Sequence, residues 1–588
     1  MEHHGITHSV EDDSNAQHIA HEFALPMPIA QLLVARGYRD SATVAQFLVL
    51  DFNAQWSHPY HMPGVLSAAQ AIWDAIRAQK MIVVYGDYDV DGVTATATLV
   101  EAIRRFGGTV APFLPRRERD GYGLTASGVQ HCLASLVQKP SLLITVDCGI
   151  GACEVVEQLM SQSIDVIITD HHTPGACLPK ACVIVNPQLP GTPDAARHLC
   201  GAGVALKLVH AMVQWGRENA VYAGPSFAHE LLVRVGLATV ADVVPLVGEN
   251  RLLAGLSMRL FQKHSGVGLR ALLLKACKHQ QDVPDTFTYG FLLGPRLNAA
   301  GRLTCADLAY NLLMTQSLDD ATLLATQLDQ LNAERRTQEK TLAEAAWMQC
   351  VGAHAPQERE HLSQQRAALV VGGPMKDGWH PGLIGIVAAR LCDVARIPVA
   401  VIAFDAHGLG RGSVRAAEGY HVVEALTQVA ELLDGFGGHA CAGGFTLKPG
   451  MFAAFKEQFE RICGQQRQQV PVSPYRMDGW LQAEDITLKF YQDEQRLAPF
   501  GVGHPKPCWG LRNVMLDDVR TMGADGAHVH LRWVLPTGQT VRGVWFHAAA
   551  KVESLRRSRH FDIVFELSEN VYNNRRSLEL MMVDAIPV

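Results

Sequence analysis

Cysteine is scarce: 13 of 588 residues, an odd number with no CxxC pair. That excludes a disulfide framework and a zinc ribbon, and fits a reducing cytoplasm. No stretch approaches the ~18 consecutive apolar residues of a membrane span, so no membrane partner is expected. The opening MEHHGITHSVEDDSNAQH lacks the basic-then-apolar pattern of a signal peptide, and the chain reads as soluble and unexported. Positive charge is also short, with 51 Lys and Arg against 58 Asp and Glu and a net charge of −7, which argues against gripping nucleic acid through bulk charge. The distribution changes that reading. Seven acids in the first 60 residues face only Arg36 and Arg39, whereas residues 251–302 carry eight basic side chains against Asp282 and Asp285. A basic central segment is thus left to meet phosphate. At about 150 residues per domain the length implies three or four domains.

From residue 81 short β-branched runs alternate with helical stretches. The runs are MIVVY (81–85), TVAPFL (109–114), SLLITV (141–146), DVIIT (165–169) and CVIV (182–185). Between and after them helices are predicted from Val93 to Phe106, near 125–137, near 153–161 and over 203–215. This alternation predicts a doubly wound parallel sheet over roughly 60–250. Residues 305–350 have few Gly or Pro and read as one continuous connecting helix. A second α/β region follows through AALVVGG (367–373), a helix near 383–395, PVAVIAF (398–404), GLGRGSVR (408–415), a helix near 421–433 and GFGGHACAGGF (435–445). From about 470 short strands such as HVHLRWVL (528–535), TVRGVWF (540–546) and DIVFELS (562–568) predict a small β-barrel or sandwich.

The first predicted strand runs into Asp87, Asp89 and Asp91 within five residues and then a helix. Parallel sheets place ligands where strands end, and three carboxylates so close repel one another unless cations hold them. An acidic turn serving a helix start is the bland alternative. Two further strand ends supply Asp147 and the run Asp170-His171-His172, and LATVADVVPL adds Asp242. Four converging segments outweigh the bland reading. Oxygen-rich sites with one or two imidazoles suit Mn²⁺ or Mg²⁺, and Cys148 should point away from its neighbour Asp147 on an extended segment. There are enough carboxylates for two cations about 3.5–4 Å apart, the arrangement that serves hydrolysis of a phosphate ester or anhydride.

DYDVDG, DCG, DHH and ADVVPL occur in the order seen in the DHH phosphoesterase superfamily, and GRGSVR with GGHACAGG resembles its associated substrate-binding domain. GYGLT (121–125), GPRLNAAGR (294–302), GWHPGLIGIVAARL (378–391) and PFGVGHPKP (499–507) make the chain similar to the superfamily's bacterial single-strand-specific 5′→3′ exodeoxyribonucleases over roughly residues 60–588. The resemblance implies metal ligands at Asp87, Asp89, Asp147, His171 and Asp242. It implies Asp91 as a further acid near the metals, and His172 near the scissile phosphate as a donor of a hydrogen bond or proton. Asp170 is expected to orient an imidazole. Two divalent cations, Mn²⁺ foremost and Mg²⁺ as the alternative, are the implied cofactors.

The same resemblance assigns substrate contacts to Arg411, Ser413, Arg415 and His439, with the glycines letting backbone N–H groups approach phosphate; Arg296 and Arg302, which close the basic segment just before the long helix, are expected to contact backbone phosphates. Tight turns and helix capping are the bland readings of those two groups. The expected architecture is an acidic segment (1–60), a DHH catalytic domain (61–260), a basic segment with the long helix (261–350), a DHHA1-like domain (351–466) and an oligonucleotide-binding (OB) barrel (467–588). Trp533, Trp545, Phe546 and Tyr572 could stack on bases, although an aromatic in a small barrel is more often core. The implied partners are single-stranded DNA with a 5′ end, single-strand-binding protein and a helicase, acting on a monomer. The rivals are a DHH phosphodiesterase for short oligonucleotides or cyclic dinucleotides, and a non-catalytic scaffold. The intact motif acids speak against the scaffold.

Overall fold

The computed structural model describes residues 10–277, 283–351, 366–417, 419–467, 477–523, 526–572 and 575–588. Lys278 and Asp282 of the basic segment lie outside these residues. Two compact units emerge, one of residues 58–242 and 257–472, the other of residues 1–57, 243–256 and 473–588.

In the first unit, β1 (Ile82–Tyr85), β2 (Val110–Phe113), β3 (Leu142–Val146), β4 (Asp165–Thr169) and β5 (Val183–Val185) form a parallel sheet in the order β2-β1-β3-β4-β5. Every residue of β1 and β3 is buried, as the unbroken apolar runs of a sheet covered on both faces require. Strand order reverses between β1 and β3, so their carboxyl ends open the crevice where doubly wound sheets bind ligands. The acids of DYDVDG and DCG follow those two strands directly.

Residues 305–350 are not one helix. Asp307–Met314 ends at a turn and Leu318–Val351 begins after it. Thr315 Oγ1 accepts the Ser317 N–H at 3.1 Å and Ser317 Oγ accepts the Asp320 N–H at 3.2 Å, so short hydroxyl side chains divert the backbone from the helix.

The second sheet of this unit, β6 (Leu369–Pro374), β7 (Val399–Phe404), β8 (Gly410–Arg415), β9 (Leu433–Gly438) and β10 (Ala442–Leu447), has the order β6-β7-β8-β10-β9. The Gly-rich segments are therefore strands. GRGSVR is a central strand paired with β7 on one side and β10 on the other, which leaves its backbone N–H groups in the ladder rather than free to cradle phosphate. Its glycines serve packing: a Cβ on Gly412 would run into the Phe445 ring, and one on Gly410 would lie 2.9 Å from both Ile402 and Phe404.

In the second unit, β12 (Trp509–Met522), β13 (His528–Val534), β14 (Thr540–Trp545), β15 (His560–Tyr572) and β16 (Arg575–Pro587) close into a five-stranded barrel through the β12–β15 pairing, with the short β11 (Gly479–Trp480) added beside β12. Trp533 and Trp545 are buried in its core, which answers the stacking question for both, and Phe546 is exposed. The acidic N-terminal stretch folds into helices Val10–Phe23, Met27–Ala35 and Ser41–Leu48. Their Ile19, Ile29 and Leu33 share one hydrophobic core with Trp509, Trp533 and Phe565. Arg251, counted in the basic segment, is buried in this unit: its guanidinium lies 3.8 Å over Phe47 and donates to the Ala498 and Pro499 carbonyls at 3.1 Å each. That arginine is structural.

Candidate metal centre and substrate cleft

The carboxyl ends of β1, β3 and β4 deliver Asp87, Asp147 and His171 to one edge of the sheet, and Asp242 joins them as the C-cap of the Ala228–Ala241 helix. Asp147 adopts φ +61°, a left-handed conformation that Asp tolerates better than most residues. Two glycines make the close approaches possible. A Cβ at Gly201 would meet Asp147 Cβ at 2.6 Å, and one at Gly92 would meet the Asp87 backbone N and O at 2.6 Å. Asp89 caps the Val90–Arg105 helix by accepting the N–H groups of Asp91 (3.0 Å) and Gly92 (3.1 Å), so the helix starts three residues before the expected Val93 and its cap is Asp89.

His171 Nε2 lies 3.0 Å from Asp147 Oδ1 and 3.7 Å from both Asp91 Oδ2 and Asp242 Oδ2. The ligand atoms of Asp87, Asp89 and Asp147 lie within 4.8 Å of one another, as do those of Asp91, His171 and Asp242, and Asp147 forms a third such group with His171 and His172. Asp147 therefore stands between two candidate cation positions. Asp87 Oδ1, Asp147 Oδ1 and Asp242 Oδ2 are buried without a hydrogen-bond partner; the 3.0 Å approach of His171 to Asp147 brings two ligand atoms face to face without hydrogen-bond geometry. Burial, then mutual repulsion, pushes the Asp87, Asp147 and Asp242 carboxyls well above the usual carboxylate range, while burial pushes His171 down towards its neutral, ligating form. Buried oxygens left this way are costly unless a cation takes them, and a set of carboxylates with one imidazole fits Mn²⁺ or Mg²⁺.

Asp91 has a second task. Its two oxygens accept the backbone N–H groups of Gly201 (2.5 Å) and Ala202 (2.9 Å), so it pins the N-terminus of the Gly201–Glu218 helix to the metal loop. Cys148 is buried in the apolar core with Tyr85 and Leu124.

Asp170 faces no cation position. Its Oδ1 accepts His172 Nδ1–H at 2.7 Å together with the His171 and His172 backbone N–H groups, and its Oδ2 accepts the Ile150 N–H at 2.9 Å. Burial alone would raise that carboxyl, but these bonds and the His172 charge hold it below its ordinary value. Against the opposing pull of its own burial, His172 is raised by Asp170. Its Nε2 is met at 3.0 Å by the Tyr122 hydroxyl, and its ring lies 6.2 Å from that of His439 at 17°. His439, at the turn between β9 and β10, is thereby brought to the metal centre.

A cavity of about 370 Å³ opens beside the metal loop, lined by Arg116, Arg117, Arg119, Arg302, Thr304 and Cys305 among others. Arg117 lies 4.4 Å over the Tyr88 ring, and Arg302 donates to the Gly382 carbonyl at 3.2 Å. Arg296 is engaged differently: it pairs with Asp329 at 2.8 Å and donates to the Leu292 carbonyl at 2.7 Å. On β8, Arg411 is exposed, whereas Arg415 bonds Ser413 Oγ at 3.0 Å. A Cβ on Gly385 would approach both Ser413 and Arg415 within 3.3 Å, so this pair sits at the start of the Ile384–Ala395 helix.

Four site residues escape the sequence reading. Arg117 stands in RRERD directly before GYGLT, where a run of arginines beside a turn is a legible signal. Asn298 Oδ1 accepts the Val90 N–H at 3.0 Å, and Gly301 lets the same helix pack on the Tyr88 carbonyl; both lie in GPRLNAAGR, where the arginines are the more visible signal. Tyr122 has no signal beyond its motif.

Fold, switch point and paired acidic clusters define a DHH-type, metal-dependent phosphoesterase, and residues 81–233 match the DHH family, N-terminal domain, with residues 365–465 matching the DHHA1 domain. Residues 477–584 match the RecJ OB domain. The single-stranded-DNA-specific exonuclease RecJ of Bacillus subtilis is 34% identical over 98% of this chain and 70% of its own length, and that of Escherichia coli is 32% identical over 96% of each. The crystal structure of RecJ from Thermus thermophilus in complex with Mn²⁺ superposes with a TM-score of 0.78 at 30% identity, covering 97% of this chain and 78% of that one. The chain belongs to the RecJ family of single-stranded-DNA-specific exonucleases.

Proposed function

We propose that this chain is a cytoplasmic exonuclease that degrades single-stranded DNA from its 5′ end to mononucleotides, in DNA repair and recombination, with two divalent cations as cofactors. The observation that carries the reading is the convergence of Asp87, Asp89, Asp147, His171 and Asp242 at the β1/β3 switch point, with buried acceptor oxygens left for cations. Asp87 and Asp89 with Asp147 would hold one cation, and His171 and Asp242, with Asp147 and the tethered Asp91, the other. Bound there, Mn²⁺ or Mg²⁺ would neutralise the acids, acidify a water and stabilise the leaving oxygen. Around them the protein's own groups do the rest. Asp170 aims His172 Nε2 at the scissile phosphate, where it donates a hydrogen bond or proton.

Polarity is best supported by the basic wall of the site. In this reading Arg302, Arg411, Ser413, Arg415 and His439 would guide a 5′-phosphate to the metals, together with Arg117, which shares a cavity with Arg302. The Asp329 pair of Arg296 makes that residue a brace for the helix bearing Asn298 rather than a first contact. The domain limits read from the sequence assign chemistry to residues 61–260, end binding to 351–466 and strand capture to the 467–588 barrel. A small-substrate phosphodiesterase would not require that barrel. Single-strand-binding protein and a helicase are the fitting partners of a monomeric enzyme.

The test offers 5′- and 3′-labelled single strands, duplexes and dinucleotides with Mn²⁺ or EDTA. Release of the 5′ label first, as mononucleotide, from single strands only and with Mn²⁺ only supports the proposal. Preferential hydrolysis of dinucleotides would overturn it.

A further inference from the structure

Asp170 takes Nδ1 of His172, so Nε2 is the nitrogen that can reach substrate, and the Tyr122 hydroxyl stands 3.0 Å from it. We propose that Tyr122 is a second hydrogen-bond donor to the phosphate oxygen that His172 contacts, and so a catalytic residue of this site. The inference rests on the reading that places His172 at the scissile phosphate.

The geometry favours a shared oxygen. Two donor groups 3.0 Å apart satisfy each other while no substrate is present, and an anionic oxygen at ordinary hydrogen-bond distance from both completes a near-equilateral triangle. An anionic oxygen is a stronger acceptor for both donors than the phenol oxygen is for His172. Among the described residues the Tyr122 hydroxyl has no other hydrogen bond, and nothing else competes for it.

The seat of the side chain is built for this. Gly121 (φ +84°) and Gly123 (φ +72°) flank Tyr122, both in the left-handed region that favours glycine, so the turn that projects the ring cannot be made by ordinary residues without strain. The ring meets Tyr88 edge-on at 6.1 Å and His172 at 6.2 Å. Tyr88 sits between the ligands Asp87 and Asp89, so the metal loop itself positions the phenol. A tyrosine kept for packing would bury its ring, yet Tyr122 is 58% exposed while its hydroxyl points at the catalytic imidazole. That combination is what a residue meeting an incoming strand requires.

The experiment measures single-turnover hydrolysis of 5′-labelled single strands by the full chain with Mn²⁺, for wild type, Tyr122→Phe, His172→Ala and the double variant. Tyr122→Phe is expected to lose about 10-fold or more in kcat, the worth of one charge-assisted hydrogen bond, with KM and Mn²⁺ affinity unchanged because ring and ligands remain. In the His172→Ala background the same change should cost less than about 2-fold, since the two donors serve one oxygen. A wild-type rate for Tyr122→Phe, or losses that multiply, would overturn the role of Tyr122 while leaving the metal site standing. A wild-type rate for His172→Ala would instead overturn the placement of His172, and this inference with it.

Discussion

Buried Asp170 and half-buried His172 form a pair in which the carboxylate, itself held by three backbone N–H groups, accepts Nδ1–H at 2.7 Å and leaves Nε2 facing the cleft. Such outer partners fix the orientation of a working imidazole and typically matter about 10- to 100-fold. Asp170→Asn keeps the shape but removes the charge. It should lower kcat about 10- to 100-fold with Mn²⁺ affinity within about 3-fold of wild type, measured by single-turnover kinetics and calorimetry. A parallel collapse of metal affinity would mean that Asp170 is a ligand.

Asp147 belongs both with Asp87 and Asp89 and with His171, so its loss should disturb both cation positions. Asn is the clean replacement, because it tolerates the φ of +61° that Asp147 adopts. Several kcal/mol of charge stabilisation correspond to about 10³-fold in rate. Asp147→Asn is expected to fall by that amount while binding labelled single strands within a few-fold of wild type. Undiminished Mn²⁺-dependent turnover would sink the ligand assignment.

Gly201 tests the same position from behind. An added Cβ would sit 2.6 Å from Asp147 Cβ, and the helix it starts is pinned by Asp91. Gly201→Ala should weaken Mn²⁺ binding at least about 10-fold, because a misplaced ligand costs as much as a lost outer partner. A titration with the wild-type affinity would show that the helix shifts freely.

Why some of this is legible and some not follows from the kind of signal. β1 and β3 are continuous apolar runs ending in acids, and local pattern alone places them at a sheet's ligand edge. β12, in contrast, reads WGLRNVMLDDVRTM; its charges mask the alternation, and its strand identity comes from pairing with β13 on one side and β15 on the other. The joining of the N-terminal helices to the barrel core links residues more than 450 apart in sequence, which no local pattern reports. GRGSVR misleads because glycine serves turns, phosphate cradles and flat packing alike, and only the Phe445 ring beside Gly412 decides among them. That Asp170 orients an imidazole is an expectation of its motif; which of two adjacent histidines it takes needs geometry.

Metal affinity should depend steeply on pH. Burial and mutual repulsion hold the Asp87, Asp147 and Asp242 carboxyls high, so without cations they retain protons that binding must displace. Mn²⁺ affinity is therefore expected to rise from about pH 6 to about pH 8, with protons released on binding. Calorimetry in buffers of different ionisation enthalpy reads that release directly, and a proton count of zero across the range would contradict the placement of the cations among these acids.

Within the barrel unit, Glu494 makes stability sensitive to alkaline pH. It is fully buried, its Oε2 accepts the Trp509 Nε1–H at 2.6 Å and its Oε1 is buried without a partner. Burial pushes its carboxyl up to about 7, against the opposing Trp509 bond and Lys506 charge. The folded-state value lies above the unfolded one, so the stability tied to the neutral form is complete below about pH 4.3 and is lost as pH rises through about 7. His504 works in the opposite sense: burial and then Arg251 and Arg36 push it down to about 3, so its contribution is complete above about pH 6.5 and is lost as pH falls below that. Above about pH 7 only Glu494 of these two is still costing stability. Glu494→Gln removes the charge and keeps an acceptor for Trp509. The variant should gain about 1–3 kcal/mol over wild type at about pH 8.5 in urea unfolding followed by tryptophan fluorescence, with the difference vanishing by about pH 5. Unfolding curves displaced equally at both pH values would show that Glu494 does not titrate in the folded barrel.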